Sequence, residues 1–222
     1  MKEGWAIKKL GDVTVKTETI DPRKNPNMEF KYIDVSSVNK DTKKIEDVTV
    51  ILGKDAPSRA RKKVRTNDVI FATVRPTHSR VAIITKQYNE QVCSTGYFVL
   101  RTNEFLQSKF VFYFLLTPGF NEQMENLQKG ASYPAVTDSE VRNILIPFPH
   151  SINEQQRIIS IIDKAFEAID KAIENTQKNL QNAKELFDSY LNLVFEKGGE
   201  EWEKKSLNEL YQIGSSRRVL KS

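Results

Sequence analysis

The chain has 222 residues, 39% of them hydrophobic and 28% charged, with a net charge of +5 and a single cysteine. That length suits one or two domains with a real core. No apolar run approaches the roughly 20 residues of a membrane span, the start Met-Lys-Glu-Gly-Trp lacks the apolar core of a signal peptide, and one cysteine excludes an internal disulfide or a cysteine-based metal cluster. A soluble, cytoplasmic protein is expected.

Residues 1–150 hold 23 basic and 17 acidic side chains, a net of +6, whereas residues 151–197 carry −2. The excess belongs to the first part of the chain, as expected if that part meets a polyanion and the rest does not.

In chain order, residues 5–13 set a pattern that residues 202–210 repeat: Trp5/Trp202, Lys8/Lys205, Leu10/Leu207, Asp12/Glu209 and Val13/Leu210. The repeat implies an order of domain, helix, domain, helix, with 198–222 the truncated start of a second unit. Between the repeats, residues 30–35, 48–52, 69–74, 80–85 and 97–101 read as strands, rich in β-branched and aromatic side chains. Asn67-Asp68 is a turn before the third of them, and Cys93 a small core residue on a strand. Residues 105–116 form an apolar helix stopped by Pro118-Gly119. Thr137 and Glu140 make a capping box, with Val136 and Val141 as the hydrophobic staple of a short helix. Strands interrupted by helices without regular βαβ spacing give an α+β domain.

The stretch 54–65 carries Lys54, Arg59, Arg61, Lys62, Lys63 and Arg65 against one acid, Asp55. It reads as a basic loop, beside a second one at Arg75, His78 and Arg80. A charge run is by default a solvated face, but contacts to phosphate explain two adjacent basic loops economically. Arg75, expected to end a strand, is the side chain best placed to read guanine. Lys129-Gly130-Ala131-Ser132-Tyr133-Pro134 is a turn exposing a cation, a hydroxyl and an aromatic ring; an ordinary helix linker and a ligand contact both fit it.

From Ile-Pro-Phe-Pro-His, residues 146–150, the chain runs without proline or glycine to Gly198. The two prolines hold the lead-in extended, and Ser151 with Glu154 makes a capping box. Apolar residues then recur in three heptad rows that include Ile162, Phe166, Ile169, Ile173, Leu180, Leu186, Phe187 and Tyr190. Such a stripe is wider than a bare coiled-coil seam and marks a helix pressed against others in a bundle. At about 1.5 Å per residue it extends roughly 65–70 Å. The domain before it is too small to cover that length, so most of the stripe needs a partner helix. No glycine-rich phosphate loop, two-histidine metal pattern or nucleophile–base–orienter set is present, so no catalytic or metal-binding residue is assigned. His150 reads as structural, and His78 as facing solvent or phosphate.

Several segments together resemble the specificity subunit of type I restriction–modification enzymes: Ala56-Pro57-Ser58-Arg59-Ala60-Arg61-Lys62, Asn67 to Pro76, Ser94-Thr95-Gly96-Tyr97, Gly130 to Val136, and Ile146-Pro147-Phe148-Pro149 followed by Glu154-Gln155-Gln156-Arg157-Ile158. The last pair is the most specific mark. The resemblance implies a target-recognition domain over 1–150, a long spacer helix over 151–197, and the start of a second recognition domain over 198–222. It further implies a non-catalytic subunit that reads one half of a split double-stranded DNA site. Methyltransferase subunits would dock on its helix, with a restriction subunit in the full complex. S-adenosylmethionine, ATP and magnesium would sit on those partners and no cofactor on this chain. With one recognition domain and one helix, the chain is expected to pair as a homodimer through that helix. A scaffold protein with an incidental basic face is the alternative, and a salt-dependent, sequence-preferring interaction with DNA separates the two.

Overall fold

The computed structural model describes residues 3–199, 202–203 and 205–210. It divides into two compact units, Met1–Lys164 and Ala165–Ser222.

The first unit begins with β1 (Trp5–Lys9), β2 (Thr14–Val15), β3 (Glu29–Ile33), β4 (Thr49–Leu52) and β5 (Ala60–Lys63). There follow β6 (Val69–Ala72), β7 (Val81–Ile83), β8 (Val92–Ser94) and β9 (Tyr97–Thr102), then the helices α1 (Ser108–Leu115), α2 (Pro118–Leu127) and α3 (Asp138–Arg142). Strand β10 (Leu145–Pro149) leads into α4 (Ile152–Lys197), and α5 (Leu207–Leu210) is a single turn. The chain is thus α+β with a long C-terminal helix.

The middle sheet, ordered β2-β9-β6-β7, is antiparallel and explains the apolar runs of the sequence. Side chains alternate along a strand, and here both faces are covered. Val69, Phe71, Val81, Phe98 and Leu100 pack with α1, α2 and α3 through Val111, Phe120, Met124 and Val141. Ile70, Ala72, Ala82, Tyr97 and Val99 face the other way, onto Ile33 and Cys93 of the second sheet. That sheet is ordered β4-β3-β8-β5, with β3 and β8 parallel. Cys93 lies on a strand as expected, and burial pushes its thiol up to about 12. The third sheet pairs β1 with β10, so that the Pro-rich lead-in is a strand: Ile7 sits opposite Pro147 and Lys9 opposite Leu145.

The expected helix over 105–116 starts later, at Ser108, because Phe105 and Gln107 spend their backbone groups on Gln155. Pro118-Gly119 is also not its stop in the expected sense. Thr117 caps Phe120 with its hydroxyl and Pro118 opens α2, where a missing N–H costs nothing. The capping box at Thr137 forms from both sides, and the Thr137 N–H, with the Lys129 ammonium and the Thr137 hydroxyl, holds the Glu140 carboxyl well down, to about 2. At α4 the Ser151 hydroxyl accepts from the Glu154 N–H at 3.3 Å, while the Glu154 carboxylate takes the Arg157 guanidinium in two bonds.

In the second unit the apolar stripe of α4 is exposed: Ile169, Ile173, Leu180, Phe187 and Tyr190 are all more than half accessible, and Leu186 is 72% accessible. Phe166 is also exposed, and Ile162, in the first unit, half-buried. Leu10 and its sequence counterpart Leu207 each open a short helical turn. Trp202 stands edge-on to Phe195 at 5.7 Å. Residues 200–201, 204 and 211–222 of the expected second repeat lie outside the described residues. Among the described residues no helix is long and apolar enough to cross a membrane.

Candidate functional site

The basic stretch is not a free loop. Its second half is β5, whose cations are held by acids from elsewhere in the first unit. Arg61 meets Asp21 at 3.2 Å, and Lys62 meets Asp138 at 2.7 Å while donating to the Tyr97 carbonyl at 2.6 Å. Lys63 and Arg65 share Glu18 and Glu90. The Lys63 hydrogen bond, with Arg65 close by, holds the Glu90 carboxyl below its usual range. Arg59 differs: its side chain is exposed and in no ion pair among the described residues, and its carbonyl accepts from the Thr95 N–H at 2.8 Å. If the first unit meets DNA, as the resemblance implies, Lys62 and Lys63 are therefore expected to leave the salt dependence of that binding almost untouched. A phosphate contact contributes about 0.9 to the slope of log affinity against log salt. Replacing both by Ala should change the slope by less than one such contact and lower the melting temperature instead. A loss of about two contacts would show that they reach phosphate after all.

A different set of basic side chains, Arg75, His78 and Arg80, forms no ion pair among the described residues, although Arg80 also lines a depression with Asp41, Glu46 and Asp47. Four loops meet at one end of the middle sheet. The Thr73 N–H and hydroxyl both donate to the Gly96 carbonyl, at 2.9 and 3.0 Å, and the Val136 N–H donates to the Thr73 carbonyl at 2.9 Å. The Tyr97 hydroxyl, whose ionisation burial pushes up, donates to the Asp34 and Val35 carbonyls at 3.0 and 3.1 Å. Gly96 is needed here, because a Cβ would stand 2.6 Å from a Val35 methyl. Around a depression of about 210 Å³ these loops place Val35, Ser36, Val74, Arg75, His78, Arg80 and Tyr133.

Arg75 does not end a strand, since β6 stops at Ala72. It sits in the left-handed region at φ 48°, capping a 3-10 turn, Pro76–His78, that Ser79 closes at φ 49°. Arg80 donates to the Val38 carbonyl and to the Ser36 carbonyl at 3.5 Å, and is in no ion pair among the described residues. Tyr133 comes to this face because the Gly130 turn folds back, pairing Lys129 with Ala135 and Val74 with Ala135. Ser132 is exposed beside it, and Lys129 reaches Glu140 at 3.0 Å with most of its side chain in solvent. Sequence reasoning missed Ser36 and its loop, whose carbonyls are joined to the face by distant side chains, the Tyr97 hydroxyl and the Arg80 guanidinium. Among the described residues no cluster of three or more His, Cys, Asp or Glu side chains could hold a metal ion.

Fold and face together define a class, a mixed α+β recognition domain carried on a long helix. A model of the type I restriction modification DNA specificity domain matches residues 2–182, and the chain belongs to that family. Over 112 residues, 49% of this chain and 24% of the relative, it is 25% identical to the type I restriction enzyme HindI specificity subunit of Haemophilus influenzae. The solved HsdS subunit of Thermoanaerobacter tengcongensis is 35% identical with a TM-score of 0.79, over 93% of this chain and 53% of that one. A solved chain from work on complex assembly and conformational transition of the type I R-M system matches with the same identity, TM-score and coverage. The chain thus spans about half the length of the solved chains it matches.

Proposed function

We propose that the first unit reads one half of a split double-stranded DNA site and that α4 sets the distance to the other half. The chain has no active site of its own in this reading. Methylation and cleavage belong to methyltransferase and restriction subunits, which hold S-adenosylmethionine, ATP and magnesium, in the cytoplasm where the DNA lies. The observation that supports it is the contrast between two sets of cations. Those of β5 are neutralised within the domain, whereas Arg59, Arg75 and Arg80 form no ion pair among the described residues, with His78 beside the last two. A polyanion completes such a face. Salt-titrated binding of the chain with its methyltransferase subunits to genomic fragments, followed by mapping of methylated sites, tests it. Binding without sequence preference would leave a scaffold with an incidental basic face.

The exposed stripe of α4 supports a second copy as partner, its helix packed antiparallel on this one. Two-fold symmetry then predicts a palindromic split target. Replacing Leu186 and Phe187 by Asp puts two charges into that seam. The expected result is a monomer at micromolar concentration by sedimentation and loss of methylation at the paired site. A double variant that still sediments as a dimer would move the interface off this stripe.

A further inference from the structure

We propose that Arg75, braced against the ring of Tyr133, reads a guanine in the major groove. This rests on the reading that the first unit binds double-stranded DNA, and names the base and side chains that would give it specificity. Arg75 is built as a fixed pointer. Its φ of 48° is one that side-chain-bearing residues seldom adopt, and such outliers persist only where the surroundings over-determine them. Here they do. The Arg75 N–H donates to the Pro134 carbonyl at 2.7 Å, its carbonyl accepts from the His78 N–H at 3.0 Å, and the buried Pro76 fixes the next residue. The guanidinium lies 5.5 Å from the centroid of the Tyr133 ring. That ring is 52% accessible, so its face is open to a ligand as well as to Arg75. Its loop is held in turn by Gly130, at φ 101°, where a Cβ would meet the Tyr133 carbonyl at 2.9 Å.

The chemistry follows from this support. A phosphate is satisfied by any nearby cation, and Arg80 supplies charge on the same depression. A guanidinium held 5.5 Å over a ring by cation–π attraction is restricted in where it can swing, and its N–H donors form a rigid planar fork. That fork matches the O6 and N7 acceptors of guanine, a pair no other base presents in the major groove. An aromatic brace therefore suits base reading, for which orientation matters, more than charge neutralisation, for which it does not.

The test uses the chain with its methyltransferase subunits and a duplex carrying the mapped target, with guanines replaced one at a time by 7-deazaguanine, which lacks N7. One such replacement should weaken wild-type binding, and the same replacement should add nothing to R75K. R75K keeps the charge, so it should lose about 5- to 150-fold on the target and less than threefold on random DNA. Its salt slope should stay unchanged. Y133F should behave as wild type and Y133L as R75K, both with a normal melting temperature. R75A, which removes the charge, should also lose mainly on the target. R75A weakening every sequence equally instead, with a slope shallower by about 0.9, would make Arg75 a phosphate clamp and overturn the proposal. So would indifference to 7-deazaguanine at every position. The deaza series on the wild-type protein alone can overturn the proposal, by indifference at every position, even if a variant fails to fold. A wild type without sequence preference would overturn the DNA reading itself, an outcome distinct from a sequence-specific protein indifferent at Arg75.

Discussion

Replacing Asp68 by Ala should destabilise the domain by about 3 kcal/mol, the lower end of what breaking a buried ion pair costs. The carboxylate is 1% accessible. It receives Arg101 in two bonds of 2.8 Å and the Arg65 N–H at 2.7 Å. Hydrogen bonding to Asp68 raises the Arg101 pKa, so the guanidinium stays charged at every accessible pH. Without Asp68 it stays charged inside the domain, with Glu18 at 3.9 Å and the more distant Glu90 left to offset part of it. For a unit of this size about 3 kcal/mol corresponds to roughly 6–12 °C in Tm. Asp68→Asn keeps an acceptor for the Arg65 N–H but not the charge, and should fall between. Urea unfolding that placed Asp68→Ala within about 1 kcal/mol of wild type would show that the turn relaxes and lets Arg101 out to solvent.

The same residue shows what a sequence reveals and what it hides. Asn67-Asp68 is legible as a turn, and Asn67 does adopt φ 71°, which asparagine tolerates. That Asp68 then turns inward to meet an arginine 33 positions away is not legible, because nothing local encodes it. The rule extends to the strands. The central ones, β6 and β9, announce themselves by apolar runs because both faces are covered. The strand β5 reads as a basic loop because acids from residues 18, 21, 90 and 138 neutralise its cations only after folding. The helix α2 was hidden behind a proline that a helix accepts at its first turn and nowhere further in. For the candidate face, residue types and motifs were readable, but not the proximity of Arg75 and Tyr133. Their contact depends on a carbonyl of Pro134 reaching back to β6's outgoing loop, a tertiary fact. The exposed stripe of α4 was readable throughout, since helical periodicity is local.

Gln155 is the case in which a motif residue proves to be a joint. It is 0% accessible, and its side chain makes three hydrogen bonds. The oxygen accepts from the Gln107 N–H at 2.9 Å, and the nitrogen donates to the Phe105 carbonyl at 2.8 Å and the Pro149 carbonyl at 2.9 Å. One side chain thus ties the end of β10, the approach to α1 and the first turn of α4. A second tie follows two turns on, where Asp163 accepts from Lys109 at 2.7 Å and from the Tyr113 hydroxyl. Gln155→Leu keeps the bulk but leaves one N–H and two carbonyls unpaired, each at about 1–3 kcal/mol when buried. A total near 3 kcal/mol or more is expected in thermal unfolding. Gln155→Glu should be worse at neutral pH, because a carboxylate cannot donate and would face two carbonyl oxygens. If α4 sets the distance between half-sites, loosening its first turn should also broaden the spacer lengths that are methylated, while the half-site sequence stays the same. At a temperature where both proteins are folded, methylation mapping should show spacers one base pair longer or shorter joining the preferred length for Gln155→Leu. A destabilised variant that kept a single spacer length would mean that the Asp163 tie alone fixes the helix.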